Sequence, residues 1–387
     1  MNGNSRFLAS TLAFLAISLS SLAAQYDVAA YVWPAYQPEP RWAELGLFPH
    51  GNGEWQNVYE AVSKRPGHRQ PMVPYWGYER DDDPKAMARQ IDAALAAGVN
   101  VFIYDWYWYQ GRPFLENALD EGFLKAPNSE RMRFSLMWAN HHVDKRWDSK
   151  AAEFGDTIWS AHVDLATFKT LCDRWVTKYF VRPNYYKLDG KPVFSIFMPS
   201  VFIEGVGGEA KALEGVAYLR ERAKKAGLPG VHLQLLWHKA DDPTDLVRKF
   251  GFDSITFYNW SCGGRCSAEK DSGTSTYAKW SAVAKGEWNR LKACGVPFYP
   301  NVAIGYDDNP RFPADCWTAA VTPATPEEFE GLLRDARAFA DANTPAGVRK
   351  LVTINAWNEW SEGAVLQPDD HYKYAYLNAV WRVFGNL

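Results

Sequence analysis

The sequence has little excess charge of either sign. Its 42 lysines and arginines stand against 45 aspartates and glutamates, which gives a net charge of −3 over 387 residues. Proteins that hold nucleic acid or an anionic membrane surface need a basic field, and this chain has none. We therefore expect no nucleic acid among its partners and, once the N-terminal segment is removed, no membrane.

Cysteine is scarce as well, with five in the whole chain. That number is too small to build a disulfide scaffold for a protein of this length. Cys262 and Cys266 bracket a Gly-Gly-Arg stretch, and no second pair of ligands stands at the spacing of a zinc site. Two interpretations of the pair stay open, a local disulfide formed in an oxidising compartment and two free thiols.

The short motifs of several enzyme classes are missing. The chain contains no G-x-S-x-G, no H-E-x-x-H, no P-loop and no dinucleotide-binding glycine pattern in the right place. Serine hydrolases, zinc proteases and nucleotide-dependent enzymes therefore have no support from the sequence. Aromatic residues, in contrast, occupy 15% of the positions, with 18 tryptophans. Such a composition suits a cleft that stacks the flat faces of sugar rings.

Long apolar runs are absent after the first two dozen residues. The run Phe7–Leu19 follows Arg6, the only charge in that segment, and Ser-Leu-Ala-Ala at 21–24 offers small residues for cleavage. This pattern predicts a secretory signal peptide over residues 1–24, and an N-terminal membrane anchor is the alternative. We expect a secreted or periplasmic mature chain, residues 25–387, that forms a single catalytic domain and acts as a monomer.

Short apolar runs recur along the rest of the chain. They are rich in Val, Ile and Phe and are mostly apolar throughout, which is typical of parallel strands buried on both faces. The eight runs are Asp27–Trp33, Val99–Asp105, Phe134–Ala139, Pro192–Phe197, Val231–Trp237, Asp253–Phe257, Phe298–Ile304 and Leu351–Trp357.

Amphipathic segments of helical period separate these runs. In Pro84–Ala97, Asp83 is the predicted N-cap and Gly98 the predicted stop, and Thr325 begins a capping box with Glu328. The other predicted helices are Asp164–Phe180, Ala212–Ala226, Asp242–Phe250, Tyr277–Ala293, Pro326–Ala342 and Tyr372–Phe384. The alternation predicts an α/β fold, a (β/α)8 TIM barrel with elaborated βα loops, and an open doubly wound sheet is the rival.

In such a barrel the functional groups follow the carboxyl ends of the strands. Aromatic and polar side chains cluster there, in the combination that carbohydrate binding uses. The candidate substrate-binding residues are Trp33, Tyr36, Glu54, Asp105, Trp106, Trp108, Asn140, His141, His238, Tyr258, Asn259, Tyr306, Asn358 and Trp360. We expect Trp106, Trp108 and Trp360 to offer exposed faces to sugar rings. Purely structural roles are the alternative for Asp105 and His238.

The strongest motif is Asn358–Gly363, which follows the last predicted strand. Glu359 and Glu362 stand three residues apart, so a turn projects both to one side, with Cβ atoms about 5–6 Å apart. Glycosyl transfer needs such a pair, one carboxyl to protonate the leaving oxygen and one to act as base or nucleophile. The flanking tryptophans and the strand-end position favour catalysis over two solvated loop carboxylates.

Several stretches of the chain resemble one family. They are Tyr107–Tyr109, Leu115–Glu116, Trp138–Asn140, the segment Asn355–Gly363 and the later Tyr376–Leu377. Together they are similar to the glycoside hydrolase family 99-like, or WbsX-like, domain, over most of the chain. The Asn-Glu-Trp-x-Glu-Gly pattern is the more specific part of this likeness.

The resemblance implies a barrel related to family 99 endo-α-mannosidases, which retain anomeric configuration without a protein nucleophile. Carried over to the matching motif, Glu359 takes the proton of the sugar 2-hydroxyl, which closes a 1,2-anhydro sugar, and Glu362 is the acid and then the base. Two carboxylates and a substrate hydroxyl complete this chemistry, so we expect no cofactor and no catalytic metal. A structural Ca²⁺ among Asp307, Asp308 and Asp315 stays open.

The sequence thus predicts a secreted glycoside hydrolase whose partner is an oligo- or polysaccharide. A WbsX-type glycosyltransferase and a non-catalytic carbohydrate-binding protein are the alternatives. The predicted signal peptide argues against the transferase, because nucleotide-sugar donors are cytoplasmic. The family commonly has glutamate after the Trp-Ala-Asn of strand three, where this chain has His141, and this leaves the sugar open.

Overall fold

Eight parallel strands form the centre of the structure, which is a computed structural model. In chain order they are β1 Tyr26–Val32, β2 Val101–Tyr109, β3 Arg133–Trp138, β4 Lys191–Ile196, β5 His232–Leu236, β6 Ser254–Thr256, β7 Asn301–Ala303 and β8 Lys350–Asn355. The residues described are 26–385 except 145–146, 148–156, 240, 260–273, 319 and 346–347. The predicted signal peptide and the Cys262–Cys266 pair lie outside them.

The strands pair in chain order and close on themselves. β1 to β6 are successive neighbours, β8 lies on the other side of β1, and β7 lies beside β8. Register is set by pairs such as Ala29 with Val101 between β1 and β2, and Ala29 with Thr353 between β1 and β8. Ile255 of β6 donates to the Pro297 carbonyl at 3.0 Å, just before β7. This contact closes the sheet into the predicted (β/α)8 barrel.

Helices and short turns connect the strands. The α-helices are α1 Arg41–Glu44, α2 Trp55–Tyr59, α3 Pro84–Ala97, α4 Leu165–Arg174, α5 Pro199–Gly205, α6 Glu209–Lys225, α7 Thr244–Phe250, α8 Tyr277–Leu291, α9 Pro326–Asn343 and α10 Ala375–Phe384. The π-helical turns are Ala118–Phe123 and Trp175–Phe180, and the 3-10 turns are Ser129–Arg131, Asn309–Arg311 and Trp360–Glu362. Among the described residues, none of these helices has both the length and the apolar composition needed to cross a membrane.

Local capping explains why the predicted helix bounds agree so well with the structure. The Asp83 side chain accepts a hydrogen bond from the Lys85 amide, and Gly98 ends α3 with a φ of 95°. The Thr325 side chain and Glu328 form the predicted capping box of α9. Such caps satisfy amide and carbonyl groups that a helix end leaves without partners, so they place the ends from sequence alone.

The connection from β2 to β3 departs from the prediction. β2 does not stop at Asp105 but continues to Tyr109, where it folds back against the short strand Arg112–Phe114. A π-helical turn, Ala118–Phe123, stands where an α-helix would complete the repeat. The antiparallel hairpin prolongs the strand because it satisfies backbone groups beyond the edge of the barrel.

The core has two layers, separated by the barrel wall. In β1, Val28 and Ala30 belong to a cluster that packs against the helices, while Ala29 and Tyr31 belong to a second cluster inside the barrel. Successive side chains of a strand point to opposite faces, so each strand contributes to both layers. The inner layer ends at the carboxyl-terminal mouth of the barrel.

Candidate active site

A cleft of about 760 Å³ opens at the carboxyl ends of the strands. Its walls come from segments far apart in the chain, because all strand ends meet at this face. The predicted site residues that line it are Trp33, Asp105, His141, Tyr258, Asn259, Tyr306, Glu359 and Glu362. The two predicted catalytic glutamates thus share one cavity with six of the predicted binding residues.

A tight hairpin after β8 carries both glutamates. Asn358–Glu359 pairs antiparallel with Ala364–Val365, and the 3-10 turn Trp360–Glu362 joins the two short strands. Gly363 has a φ of 65°, a left-handed conformation that side chains with a Cβ rarely adopt. The closed turn places Glu359 and Glu362 on the same side, as their spacing predicts.

Arg311 is the central cation of the site. Its Nε donates to Glu54 Oε1 at 2.7 Å and its Nη1 donates to Glu362 Oε1 at 2.6 Å. All three side chains are buried or nearly so. Burial alone would lower the pKa of the Arg311 guanidinium, but Glu54 and Glu362 raise it well above its ordinary value. Arg311 therefore stays charged and stabilises the ionised form of both carboxyls.

Glu359 and Asp105 both contact the hydroxyl of Tyr258. The Tyr258 hydroxyl lies 2.8 Å from Glu359 Oε2 and 3.0 Å from Asp105 Oδ2. Burial raises the pKa of Glu359 well above its ordinary value, and the nearby Glu362 charge adds to this, while Arg311 opposes it. Burial likewise raises the pKa of Asp105. Burial therefore favours the protonated form of both carboxyls, and of the two only Glu359 has the Arg311 charge to oppose it.

Three predicted binding residues, Asn358, Tyr36 and Glu54, support the cleft from behind. Asn358 accepts a hydrogen bond from the Trp33 amide at 2.8 Å and donates to the Trp33 carbonyl, which ties the hairpin to β1. The Tyr36 hydroxyl accepts from the Ser361 amide, and Glu54 accepts from the Trp33 indole as well as from Arg311.

Asn140 and His238 support the wall on the β4 side of the cleft. Asn140 joins the segments after β3 and β4 through paired hydrogen bonds with the Met198 backbone, each 2.8 Å. His238 stacks on Phe197, with ring centroids 5.1 Å apart. Burial lowers the pKa of His238 to about 4. His238 therefore packs against Phe197, a residue that lines the cleft.

The expectation that Trp106, Trp108 and Trp360 offer exposed faces to sugar rings needs correction. Trp106 is only 2% exposed and packs edge-on against Trp175, and Trp360 is 1% exposed and contacts Trp55. Trp108 is partly buried and stacks on Trp106. The strand period explains this, since Asp105 and Tyr107 face the barrel interior and their even-numbered neighbours face the helices.

Sequence reasoning missed several residues that line the cleft. Arg311, Tyr107, Asp144 and Trp147 are among them. Trp147 contacts Trp33 with ring centroids 5.6 Å apart, so the aromatic wall comes from these rings rather than from the expected platforms. Arg311 lies five residues beyond Tyr306, in the loop after β7, and so outside the strand ends where functional groups were sought.

Asp307 and Asp308, two of the three candidate calcium ligands, have hydrogen-bond partners within the protein. Asp307 accepts hydrogen bonds from Gln70 and Asn309 and lies 2.8 Å from the His68 ring. Asp308 accepts from Thr318 at 2.5 Å. Among the described residues no group of three or more His, Cys, Asp and Glu is arranged to hold a metal ion.

Solved structures share the fold of this chain. A glycoside hydrolase-like protein has a TM-score of 0.62 to this chain, with 14% sequence identity over 94% of both chains. The family 99 endo-α-mannosidase of Bacteroides thetaiotaomicron has a TM-score of 0.53, with 15% identity over 93% of this chain and 96% of that one. At these identities the likeness is one of fold.

The chain belongs to the WbsX family. The model of that family, described as glycosyltransferase WbsX, matches residues 28–380. WxcX, an uncharacterised protein found in two strains of Xanthomonas campestris pv. campestris, is 28% identical over 359 residues. This chain spans about half the length of WxcX, since the match covers 90% of this chain and 48% of that protein. The resemblance predicted from the motifs is confirmed.

Removal of Arg311 tests its place at the centre of the site. Arg311→Met leaves buried Glu54 without its cation, so we expect the free energy of unfolding to fall by about 3–5 kcal/mol. Urea denaturation measures it. Arg311→Met combined with Glu54→Gln recovers part of the loss, and Arg248→Met, which breaks an exposed ion pair with Asp245, changes little. A double variant as unstable as the single one would contradict the assignment.

The lowered pKa of the partly buried His238 predicts loss of stability in acid. Its pKa falls from 6.5 to about 4 on folding, so the unfolded chain binds a proton that the folded one does not. Stability is complete above pH 6.5 and is lost as pH falls towards 4, by up to about 3 kcal/mol. Melting temperatures from pH 7 to 4 fall less steeply in His238→Phe. The control His50→Gln, at an exposed position, keeps the wild-type slope.

Proposed function

We propose that this protein is a secreted or periplasmic glycoside hydrolase that cleaves a polysaccharide or glycan with retention of anomeric configuration. The observation that carries the proposal is the hairpin after β8, which presents Glu359 and Glu362 to one cleft. Both glutamates have polar partners, Tyr258 and Arg311. Family membership and the fold shared with glycoside hydrolases support the same class of chemistry.

The first half-reaction breaks the glycosidic bond. Glu359 takes the proton of the sugar 2-hydroxyl while that oxygen attacks C1 and forms a 1,2-anhydro ring. The bond from C1 to the leaving oxygen breaks at the same time, and Glu362 gives its proton to that oxygen. In the second half-reaction Glu362 takes a proton from water while the water oxygen attacks C1. The bond from C1 to the 2-oxygen breaks, and Glu359 returns its proton to that oxygen. Two inversions at C1 give retention.

The Arg311 contact sets a condition on the role of Glu362. Arg311 stabilises the ionised carboxylate in the empty cleft, whereas the acid role needs the protonated form. A glycosidic oxygen has lone pairs and no proton, so only protonated Glu362 is able to donate a hydrogen bond to it. Substrate binding therefore favours proton uptake by Glu362. The opposite assignment, with Glu359 as the acid, is an outcome that the substrate test below distinguishes.

The charge of the cleft favours a hydrolase over a transferase that uses nucleotide sugars. Its described lining includes the carboxyl groups of Asp105, Asp144, Asp308, Glu359 and Glu362. Arg311 is the only arginine in that described lining, which contains no lysine, and it already pairs with two carboxylates. A nucleoside diphosphate is a polyanion and needs cations around it. The name of the WbsX family nevertheless keeps the transferase as the second candidate.

Product analysis on a panel of polysaccharides separates the two candidates. We expect wild-type protein to release reducing ends from at least one glycan without any nucleotide sugar. Glu221→Gln, at an exposed site on α6, is the matched control and keeps full activity. Sugar incorporation that requires a nucleotide-sugar donor, with no hydrolysis in its absence, would establish the transferase instead. Binding of a glycan that is recovered intact, with neither hydrolysis nor transfer, would identify a carbohydrate-binding protein.

The division of labour between the glutamates predicts different responses to the leaving group. Fluoride departs without a proton, so Glu362→Gln keeps much of the wild-type rate of the first step on a glycosyl fluoride. The same variant loses activity on glycan. Glu359→Gln removes the base, and both substrates lose about 10²–10⁴-fold in rate. The measurement is kcat/KM for each pair of variant and substrate.

Two further outcomes would change this assignment. If Glu362→Gln fails on both substrates while Glu359→Gln is spared on fluoride, the roles are exchanged. If azide rescues Glu359→Gln and gives a glycosyl azide of inverted configuration, Glu359 is a direct nucleophile. A substrate that lacks a free 2-hydroxyl is the chemical control, since the anhydro route cannot act on it.

A further inference from the structure

One hydroxyl lies between two carboxyl groups at the bottom of the cleft. Tyr258 Oη is 3.0 Å from Asp105 Oδ2 and 2.8 Å from Glu359 Oε2, and all three side chains are buried. A phenol has a single proton, so it donates to one carboxyl only. The second contact is a hydrogen bond only if the other carboxyl carries a proton and donates it to Tyr258.

The surroundings of the two carboxyls differ. Glu359 Oε2 also accepts from the Asn355 amide at 3.2 Å, and the Arg311 charge favours its ionised form. Asp105 has neither kind of support, since within the described residues no lysine, arginine or histidine hydrogen-bonds to it. Its Oδ1 is buried and has no hydrogen-bond partner in the described part of the chain. An ionised carboxylate in that position would leave a buried charged oxygen unpaired, which is costly.

We propose that Asp105 is a protonated positioning residue for Glu359. Asp105 Oδ2 donates its proton to Tyr258 Oη, and Tyr258 in turn donates to Glu359 Oε2. The proton that the buried pair must hold thus resides on Asp105, so Glu359 stays ionised with one oxygen fixed. This inference rests on the proposed function, in which Glu359 is the base.

The hydrogen bonds from Asp105 through Tyr258 to Glu359 also explain why an acidic residue faces the barrel interior without a cation. Several titratable or charged groups surround Asp105. They are Tyr31 from β1, Tyr107 from β2, Tyr258 from the segment after β6, Arg311 from the loop after β7, and Glu359 and Glu362 from the hairpin after β8. The one cation among them contacts Glu54 and Glu362. A neutral Asp105 adds no further negative charge to this group.

A pair of substitutions tests the protonation state through activity. Asp105→Asn replaces a neutral carboxyl by an amide of the same shape, whose N–H donates to Tyr258, so we expect kcat/KM within about tenfold of wild type. Asp105→Leu keeps volume but loses the donor and falls further. The alkaline limb of the wild-type pH profile that belongs to Asp105 is absent in Asp105→Asn. An Asn variant as inactive as the Leu variant, or a Leu variant equal to wild type, would overturn the proposal.

Infrared spectroscopy tests the same point without turnover. Burial raises the pKa of Asp81 to about 7, so the test compares difference spectra. At pH 7 the difference between folded wild type and Asp105→Asn contains the carbonyl stretch of a protonated carboxyl, and the difference between wild type and Glu359→Gln does not. The reverse result places the proton on Glu359 and overturns the proposal, as does the absence of the band from both difference spectra. If Asp105→Asn does not fold, the comparison of wild type with Glu359→Gln still decides. If no glycan is ever cleaved, the proposed function fails, while the spectrum still reports on Asp105.

Discussion

The ion pairs of Arg311 hold the site together. The guanidinium comes from the loop after β7, and it binds Glu54 from the long loop after β1 and Glu362 from the hairpin after β8. A buried carboxylate is tolerated only beside a cation or good hydrogen-bond donors, so these three segments fix one another's positions. The cleft keeps its shape because one charge joins three loops, and Asp307 joins the same three through His68, Gln70 and the Glu362 carbonyl.

The same contacts determine where the site holds its protons. Arg311 already neutralises part of the charge on Glu54 and Glu362, so it does little for Asp105 on the far side of Tyr258. Buried carboxyls without a cation keep protons instead of charges. The result is an ordered set, in which Glu54 and Glu362 pair with the guanidinium while Asp105 and Glu359 are linked through one phenol.

The sequence was sufficient for the fold but only in part for the site. Buried parallel strands are apolar throughout and helix ends are set by local caps, so the eight strands and α3 followed from short windows of residues. The face of the strand on which a given side chain lies is harder to predict from the sequence. Trp106 and Asp105 are adjacent and point to opposite layers, and nothing in their immediate neighbours shows which one faces the cleft. Arg311 contacts Glu54 across 257 residues, a pairing that only the closed barrel brings about.

The hydrolase and transferase candidates differ in one physical requirement, which is the leaving group of the donor and not the glutamates. Opening a 1,2-anhydro sugar by water or by a sugar hydroxyl uses the same base, and both acceptors are neutral. A nucleotide leaving group is different, because its departing charge needs cations where this cleft presents carboxyl groups. The carboxyl groups in the described lining suit a neutral glycan donor, whose leaving oxygen needs a proton. If the protein is a transferase, transfer between neutral glycans is therefore the form of the reaction that these carboxyl groups favour.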